Sequence, residues 1–221
     1  MNRLQDSLNS WMRDFTIFPN LTKQELFDFW SVLDQPHDKR VATVLSYKEK
    51  FNLKVLIEGG TYKGEMIKKT LDVFDKIISI ECDEKLATEA QKKFQQHNHV
   101  RVIHGGTEDV LPLILKDLDT PALFWLDSHY IDWGLPIPCI MGRTNTDCPI
   151  MIELTTILHH PVRDHVILID DARCFTGPNV YSKDYPSIQE LKKFVQDIRP
   201  DMTFEYTPPN TDIIAIYKEK K

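Results

Sequence analysis

Long apolar runs are absent from this 221-residue chain, and the segment after Met1 has no signal-peptide core. Spanning a membrane takes about 20 consecutive apolar residues, and export takes an apolar leader. Cysteine is also scarce, since the four cysteines are scattered and form no C-x-x-C pair. This usage fits reduced thiols rather than a disulfide or zinc framework. These absences predict a cytoplasmic protein with no membrane partner.

The chain also lacks an excess of positive charge, and it lacks the common glycine-rich motifs that bind nucleotides. The 27 lysines and arginines face 33 aspartates and glutamates, which gives a formal charge of −6. Nucleic acids and anionic membranes attract basic surfaces, so no nucleic-acid partner is expected. Neither the G-x-G-x-x-G fingerprint of NAD-binding folds nor the P-loop G-x-x-x-x-G-K-[ST] occurs in the chain.

Strand-like and helix-like segments alternate from Asn52 onward. Successive apolar residues are typical of parallel strands buried on both faces. Repeated strand–helix units predict an α/β, Rossmann-like doubly wound sheet of seven strands, mostly parallel. The last two runs, separated by Pro208-Pro209-Asn210, predict a hairpin that adds an antiparallel edge strand. The predicted strands are 53–58, 76–81, 100–104, 122–126, 166–170, 203–206 and 213–217. The predicted helices are 64–74, 83–96, 107–117, 149–159 and 187–198. Asp83 and Thr107 are predicted N-caps, and Pro186-Ser187 is predicted to start the last helix.

The first part of the chain has a different pattern. Leu4, Leu8 and Trp11 recur at helical spacing. We therefore expect an N-terminal helical appendage over residues 1–48 and one larger domain over residues 49–221.

The most informative segment is 55–64, in which an apolar run ends in Glu58 and leads into a glycine-bearing turn. Glycine has no Cβ, so such a turn brings backbone N–H groups close to a ligand. One helix later, the run 77–81 again ends in an acid, Glu81, and a carboxylate can accept hydrogen bonds from both ribose hydroxyls. This spacing predicts a nucleoside-binding site.

Acids also follow two further predicted strands: Asp127 follows one, and Asp170-Asp171 follows the other. The carboxyl ends of parallel strands meet at one edge of a sheet, where three carboxylates would raise one another's pKa. A hard divalent cation relieves this repulsion, and Mg²⁺ prefers oxygen ligands. The sequence therefore predicts a metal held by Asp127, Asp170 and Asp171. The alternative is that these acids only cap a turn and a helix.

These motifs resemble those of the class I S-adenosylmethionine-dependent methyltransferases, above all the metal-dependent catechol-type and related sugar O-methyltransferases. The resemblance covers residues 50–217 as an order of elements, and it implies S-adenosylmethionine as cofactor and Glu81 as the ribose-binding acid. It also maps Asp127, Asp170 and Asp171 onto the metal ligands of the catechol type. The residues that it places at the cofactor are Glu58, Gly60, Thr61, Tyr62, Gly64, Glu81, Thr107, Glu108 and Asp127.

We assign His129 as the general base, because it lies two residues past Asp127 and histidine exchanges protons near neutral pH. Asp127 completes the catalytic pair. A metal-bound hydroxyl of the acceptor would lose its proton and attack the methyl carbon of the sulfonium. The catechol-type enzymes have a lysine three residues past the aspartate, where this chain has Tyr130, so the match breaks at that position. A loop histidine bonded to backbone is the alternative for His129.

The expected acceptor is a small hydroxylated molecule. A sugar, nucleotide-sugar or polyol is preferred over a catechol, because Cys148-Pro149 and the run 170–173 resemble sugar-modifying relatives. A homo-oligomer stays open. Lesser site candidates are Glu153, Arg143 as an anion-binding residue, and His159-His160 as partners of a helix C-terminus.

Two other functions stay open. One is a metal-dependent oxygenase or hydrolase with ligands in the run 127–129, although a non-haem iron site needs a second histidine. The other is a non-catalytic nucleoside-binding module.

Overall fold

The computed structural model describes residue 22 and residues 37–129, 146–178, 184–206 and 212–219. Several predicted features lie outside these residues: the hairpin turn at 208–210, the loop residues Tyr130 and Arg143, and the helical spacing before residue 22. None of the helices among the described residues combines the length and the apolar character that a membrane span requires.

Helices and strands alternate after a first helix. In chain order the elements are α1 (His37–Phe51), β1 (Val55–Gly59), α2 (Glu65–Thr70), β2 (Lys76–Glu81), α3 (Glu84–Phe94), β3 (Val100–His104), α4 (Thr107–Ile114), β4 (Ala122–Leu126), α5 (Ile150–Leu158), β5 (Val166–Ile169), α6 (Ile188–Ile198), β6 (Thr203–Glu205) and β7 (Ile214–Tyr217). Short 3-10 turns at Leu115–Asp117 and Ala172–Cys174 follow α4 and β5.

The strands form one sheet in the order β3-β2-β1-β4-β5-β7-β6. Neighbouring strands from β3 to β5 pair in parallel, whereas β7 is antiparallel to both β5 and β6. This confirms the predicted Rossmann-like sheet with an antiparallel pair at one edge; β7 is inserted beside β5, and β6 is the outer strand. The strand order reverses between β1 and β4, and ligands of such sheets bind beyond the carboxyl ends at this point.

Alternate strand residues face two hydrophobic cores. Ile57 and Phe124 pack on the side covered by α4, α5 and α6. Leu56 and Leu123 pack on the other side, against α1, α2 and α3. Burial on both faces explains why the strand sequences are apolar at successive positions.

Helix α1 crosses position 48, where the boundary between appendage and domain was predicted. Its Val41, Val44 and Phe51 are buried in the core that it shares with the sheet. The division into residues 1–48 and 49–221 stays a prediction, because most of the first 36 residues lie outside the described part.

Two of the three predicted helix starts are confirmed. Asp83 caps α3 by accepting a hydrogen bond from the Leu86 N–H at 2.8 Å. Ser187 caps α6 through a reciprocal capping box with Glu190. The prediction for Thr107 as a cap is wrong by one position, since Gly106 is the N-cap of α4 and Thr107 is its first residue.

A chain of two buried histidines links β4 to the end of α5. The Ala122 N–H donates to His165 Nδ1 at 3.0 Å, and His165 Nε2 lies 2.9 Å from His160 Nδ1. His160 Nε2 in turn lies 2.8 Å from the Leu115 carbonyl oxygen. All three contacts are satisfied when both rings are neutral and carry their proton on Nε2. His160 is therefore part of the core, whereas His159 Nδ1 bonds the Thr155 carbonyl oxygen at the end of α5, as predicted for a helix C-terminus.

Stability is expected to fall on acidification because of His165. Burial, with the nearby His160 and Arg199, lowers the pKa of His165 from 6.5 to about 4. Between these two pH values the unfolded chain binds the proton and the folded chain does not, so the free energy of unfolding decreases as the pH falls through this window. The contribution is about 3 kcal/mol at most, fully present above pH 6.5.

Urea unfolding of the wild type and of His165→Gln between pH 4 and pH 7.5 measures the contribution of His165 to the free energy of unfolding. The variant should show a flatter pH dependence in that window. His104→Gln, at an exposed position on β3, is the matched control and should keep the wild-type slope. Parallel pH curves for wild type and His165→Gln would contradict the assignment.

Candidate functional site

The turn after β1 is built against the end of β4. Gly60 has a left-handed φ of 87°, and its N–H donates to the Ile80 carbonyl oxygen at 2.9 Å. A Cβ on Gly60 would overlap the carbonyl oxygen of Asp127. Only glycine satisfies both the backbone angle and this close approach. The glycine-bearing turn and the acid after β4 are thus in direct contact.

Glu81 holds the same turn from the end of β2. Its Oε2 accepts a hydrogen bond from the Tyr62 N–H at 2.7 Å, and its Oε1 accepts one from the Asp83 N–H at 3.0 Å. Tyr62 is one of the few described residues other than glycine with a left-handed φ, at 45°. Each carboxylate oxygen has two lone pairs, so each keeps an acceptor position for a ligand hydroxyl.

Glu58 and Thr61 lie beneath the turn. Both are buried, and Ser79 Oγ joins them through contacts of 2.5 Å to Glu58 Oε2 and 2.5 Å to Thr61 Oγ1. Burial raises the pKa of Glu58 to about 8, with the charge of Glu81 adding to the shift and the Ser79 hydrogen bond opposing it. The structure therefore gives these two side chains a supporting position under the turn.

Gly64 ends the turn and is the N-cap of α2, with a φ of 71°. A Cβ there would lie 2.6 Å from the Phe94 ring, so this glycine is required by both angle and packing.

The start of α4 carries two predicted cofactor residues. Both carboxylate oxygens of Glu108 are buried and find no hydrogen-bond partner among the residues that the structure describes. Buried carboxylate oxygens normally have a hydrogen-bond partner, and these two are an exception among the described residues. A bound ligand could supply the donor that they lack. Thr107 Oγ1 lies 3.2 Å from Ser128 Oγ, which donates to Glu153 Oε1 at 2.5 Å. Glu153, which the sequence indicates as a lesser site candidate, is buried beside Ser128, and burial raises its pKa.

Asp127, Asp170 and Asp171 converge as predicted. One oxygen atom of each lies within 4.8 Å of the others, an arrangement that could hold a metal ion. The pKa values of Asp127 and Asp170 are raised well above the usual range. Burial is the largest cause, and the neighbouring acids add to both shifts. Asp171 has a left-handed φ of 52°, a conformation that costs energy in a residue other than glycine. Strain and raised pKa values at one point are typical of functional sites.

Two arginines contact the acids. Arg40 Nε lies 2.5 Å from Asp170 Oδ2 in an ion pair without hydrogen-bond alignment, and Arg40 Nη2 donates to Asp171 Oδ1 at 2.9 Å. Arg173 Nη1 donates to Asp171 Oδ1 at 2.6 Å and also contacts Asp212. Burial alone would raise the pKa of Asp171, but the His129 hydrogen bond and the two arginines outweigh it, so the pKa is lowered. Four acids, Asp127, Asp170, Asp171 and Asp212, share this described cluster with the two arginines. Their formal charges, with every acid ionised, sum to minus two, which one divalent cation would balance.

His129 belongs to the same cluster. Its Nε2 lies 3.0 Å from Asp171 Oδ2, and its ring packs edge-on against Phe175 and Tyr185. The alternative of a histidine bonded to backbone is not what the structure shows. A second group with metal-ligand spacing is formed by His129, Asp171 and Cys174. It shares Asp171, which already accepts from both arginines and from His129.

Comparisons with known proteins find similarity at the level of structure. No family model matches the chain, and no curated protein matches it. An SAH-bound methyltransferase from Podospora anserina is 18% identical, with 100% of this chain and 97% of that one covered at a TM-score of 0.54. An O-methyltransferase from Bacillus cereus in complex with SAH is 15% identical, with 97% and 100% covered at 0.54. The SAM-bound O-methyltransferase TomG of tomaymycin synthesis, from Streptomyces achromogenes, is 15% identical, with 99% and 100% covered at 0.55.

The chain has the fold of the class I S-adenosylmethionine-dependent methyltransferases. At these identities the similarity shows the fold alone. Any inference about activity must come from the residues of this chain. Within this methyltransferase fold, the turn after β1, Glu81 and the acid cluster all lie at the carboxyl ends of neighbouring strands.

Sequence reasoning missed several residues of this site. Arg40 and Asp212 stand far from the motifs in the chain, and a lone arginine or aspartate in a helix or loop gives no signal. Arg173 and Ser128 were within quoted motifs, so their positions were available, but only the fold brings their side chains to the acids and to Glu153.

Proposed function

We propose that this protein is an S-adenosylmethionine-dependent O-methyltransferase that uses a divalent cation, preferably Mg²⁺, and acts on a hydroxyl of a small molecule. The observation that carries the proposal is the contact between Gly60 and the Asp127 backbone, because it joins the candidate cofactor turn to the candidate metal cluster. Methyl transfer needs the two reacting atoms held about 3–3.5 Å apart. A methyl donor bound at the turn after β1 and an acceptor bound at the acid cluster would therefore lie next to each other.

The cofactor half is supported by three features. Glu81 keeps an acceptor position on each oxygen beside the turn, which suits the two ribose hydroxyls. The unpartnered carboxylate of Glu108 suits a hydrogen-bond donor such as the exocyclic amine of adenine. Gly60 lets the turn close onto the end of β4, beside which the methionine part would lie.

The metal half is supported by the donor set of Asp127, Asp170 and Asp171. The oxygens have cation-binding spacing, the Asp170 oxygens make no hydrogen bond within the described residues, and the acids of the cluster outnumber its arginines. Hard oxygen ligands fit Mg²⁺. A divalent cation bound here would supply Lewis-acid stabilisation of a deprotonated acceptor hydroxyl.

His129 is proposed as the general base, with Asp171 as the residue that orients it. When His129 Nε2–H donates to Asp171 Oδ2, the neutral ring leaves Nδ1 to accept a proton. A carboxylate that binds one ring nitrogen stabilises the imidazolium formed when the other takes a proton. Asp127 is proposed as the second member of the catalytic pair, because its backbone contacts the Gly60 turn and its side chain belongs to the acid cluster.

The acceptor class rests on the resemblance to sugar-modifying relatives, so a sugar, nucleotide-sugar or polyol is preferred over a catechol. The loop over residues 128–148, in which specificity for the acceptor is expected, lies mostly outside the described residues. A cytoplasmic location likewise stays a prediction, and a homo-oligomer stays open. The oxygenase alternative has little support, because His129 is the one histidine in the candidate metal groups of the described residues.

Titration calorimetry with S-adenosylmethionine tests the cofactor half. Wild type should bind it saturably, and Glu81→Gln should bind about 10- to 100-fold more weakly, because hydrogen bonds to a charged group contribute about 1.5–3 kcal/mol. The matched control is Glu84→Gln, an exposed position in the first turn of α3, which should bind as wild type does.

Absence of saturable binding in wild type, with and without Mg²⁺, would rule out the proposed function. Saturable binding without transfer to any hydroxylated acceptor would instead favour a non-catalytic nucleoside-binding module.

A further inference from the structure

Arg40 reaches the acid cluster from a separate part of the chain. It lies on α1, 131 residues before Asp171. Its neighbours Val41 and Val44 are buried against the sheet, which fixes this turn of α1 beside the carboxyl ends of the strands. The guanidinium spans two acids, with Nε 2.5 Å from Asp170 Oδ2 and Nη2 2.9 Å from Asp171 Oδ1.

We propose that Arg40 and a divalent cation compete for the carboxylates of Asp170 and Asp171, so that Arg40 sets how tightly the metal binds. This inference rests on the metal site of the proposed function and adds a residue that controls it. Two positive groups that contact the same carboxylates repel each other, and screening by salt is weak in a partly buried site.

Arg40 has a role when no metal is bound. Asp170 is buried, and a buried carboxylate without a positive partner is strongly destabilising. The guanidinium compensates this charge, so the cluster folds without an ion. Metal entry then requires Arg40 to give up part of its contact with Asp170 and Asp171.

Arg40, rather than Arg173, is the cation that can move aside. Both arginines contact two acids, but the Arg173 side chain is only 7% exposed, and its backbone N–H also donates to Asp212 Oδ1 at 2.9 Å. The Arg40 side chain is 16% exposed and approaches from a helix at the rim. Its long stem allows the charged group to turn towards solvent.

Mn²⁺ binding to the full chain, freed of metal with a chelator, measures the competition. Arg40→Gln should bind Mn²⁺ about tenfold more tightly than wild type or better, because one positive charge in contact with the ligands is removed. Its thermal unfolding temperature without metal should drop, and Mn²⁺ should raise that temperature by more than it does for wild type. Lys39→Gln is the matched control, since it removes the same charge from the adjacent exposed position and should leave Mn²⁺ affinity unchanged.

Equal or weaker Mn²⁺ binding by Arg40→Gln would overturn the proposal, and so would the absence of Mn²⁺ binding in every variant. If Arg40→Gln does not fold, Arg40→Lys replaces it: the ammonium cannot span both acids as the guanidinium does. Tighter Mn²⁺ binding by that variant supports the competition, and equal or weaker binding overturns it.

Titration of the same samples with S-adenosylmethionine separates the two levels of inference. Retained cofactor binding with a failed Mn²⁺ result removes the competition and leaves the cofactor half of the proposed function standing. Loss of cofactor binding in wild type removes the proposed function itself.

Discussion

Asp170→Asn is expected to lose metal-stimulated methyl transfer by about 100-fold or more while still binding S-adenosylmethionine. Residues that only support metal ligands already cost 10- to about 100-fold when changed, and Asp170 is a proposed ligand itself. Asparagine keeps the shape of the side chain but removes one of the three negative charges that make the cluster attractive to a divalent cation. The cofactor turn is held by Glu81 and packs on the backbone of Asp127, so it is unchanged by the substitution.

The measurement compares transfer rates in Mg²⁺ and in chelator, with cofactor binding followed by calorimetry. Asp197→Asn is the matched control, because it makes the same chemical change at an exposed position on α6 where Asp197 pairs with Lys193. The control should keep wild-type transfer. Transfer by wild type that persists unchanged in chelator would show that the metal assignment is wrong.

Gly60→Ala is expected to destabilise the fold by about 2–4 kcal/mol and to abolish cofactor binding. A left-handed φ of 87° disfavours any side chain, and the added Cβ would overlap the Asp127 carbonyl oxygen. The end of β4 would have to move away from the turn after β1. That movement separates the candidate cofactor turn from the acid cluster. Binding of S-adenosylmethionine should therefore be lost even under conditions in which the variant is still folded.

Urea unfolding and calorimetry with S-adenosylmethionine test this expectation. Gly106→Ala provides the comparison, since Gly106 has an ordinary φ of −71° and a Cβ there meets only the flexible end of Glu108. Its stability cost should be smaller, at about 1 kcal/mol. A Gly60→Ala variant with wild-type stability and cofactor affinity would contradict the role of the turn.

Much of the fold follows from local patterns. The strand from 122 to 126 is predicted at the same bounds that the structure shows, because five successive apolar residues between turn residues are typical of a strand buried on both faces. Helix α2 is shorter than predicted and ends at Thr70 rather than 74, since the pattern contains no signal for the turn that follows. The cap of α4 was misplaced because threonine is a common cap and glycine a weak one.

The convergence of Asp127, Asp170 and Asp171 was also predictable, since parallel strands bring their carboxyl ends to one edge. The balance of charge at that edge was not. It depends on Arg40, which the packing of α1 brings to the cluster, and on Asp212, which the insertion of β7 places beside Arg173.

Sequence alone determined the alternation of strands and helices, the glycine turn after β1 and the acids at the strand ends, because each depends on neighbours within a few residues. Tertiary structure decided which positive groups face those acids, that Glu58 and Thr61 support the turn from below, and that His160 pairs with His165. Each of these contacts joins residues whose approach depends on how whole helices pack on the sheet. Local patterns carry no information about that packing.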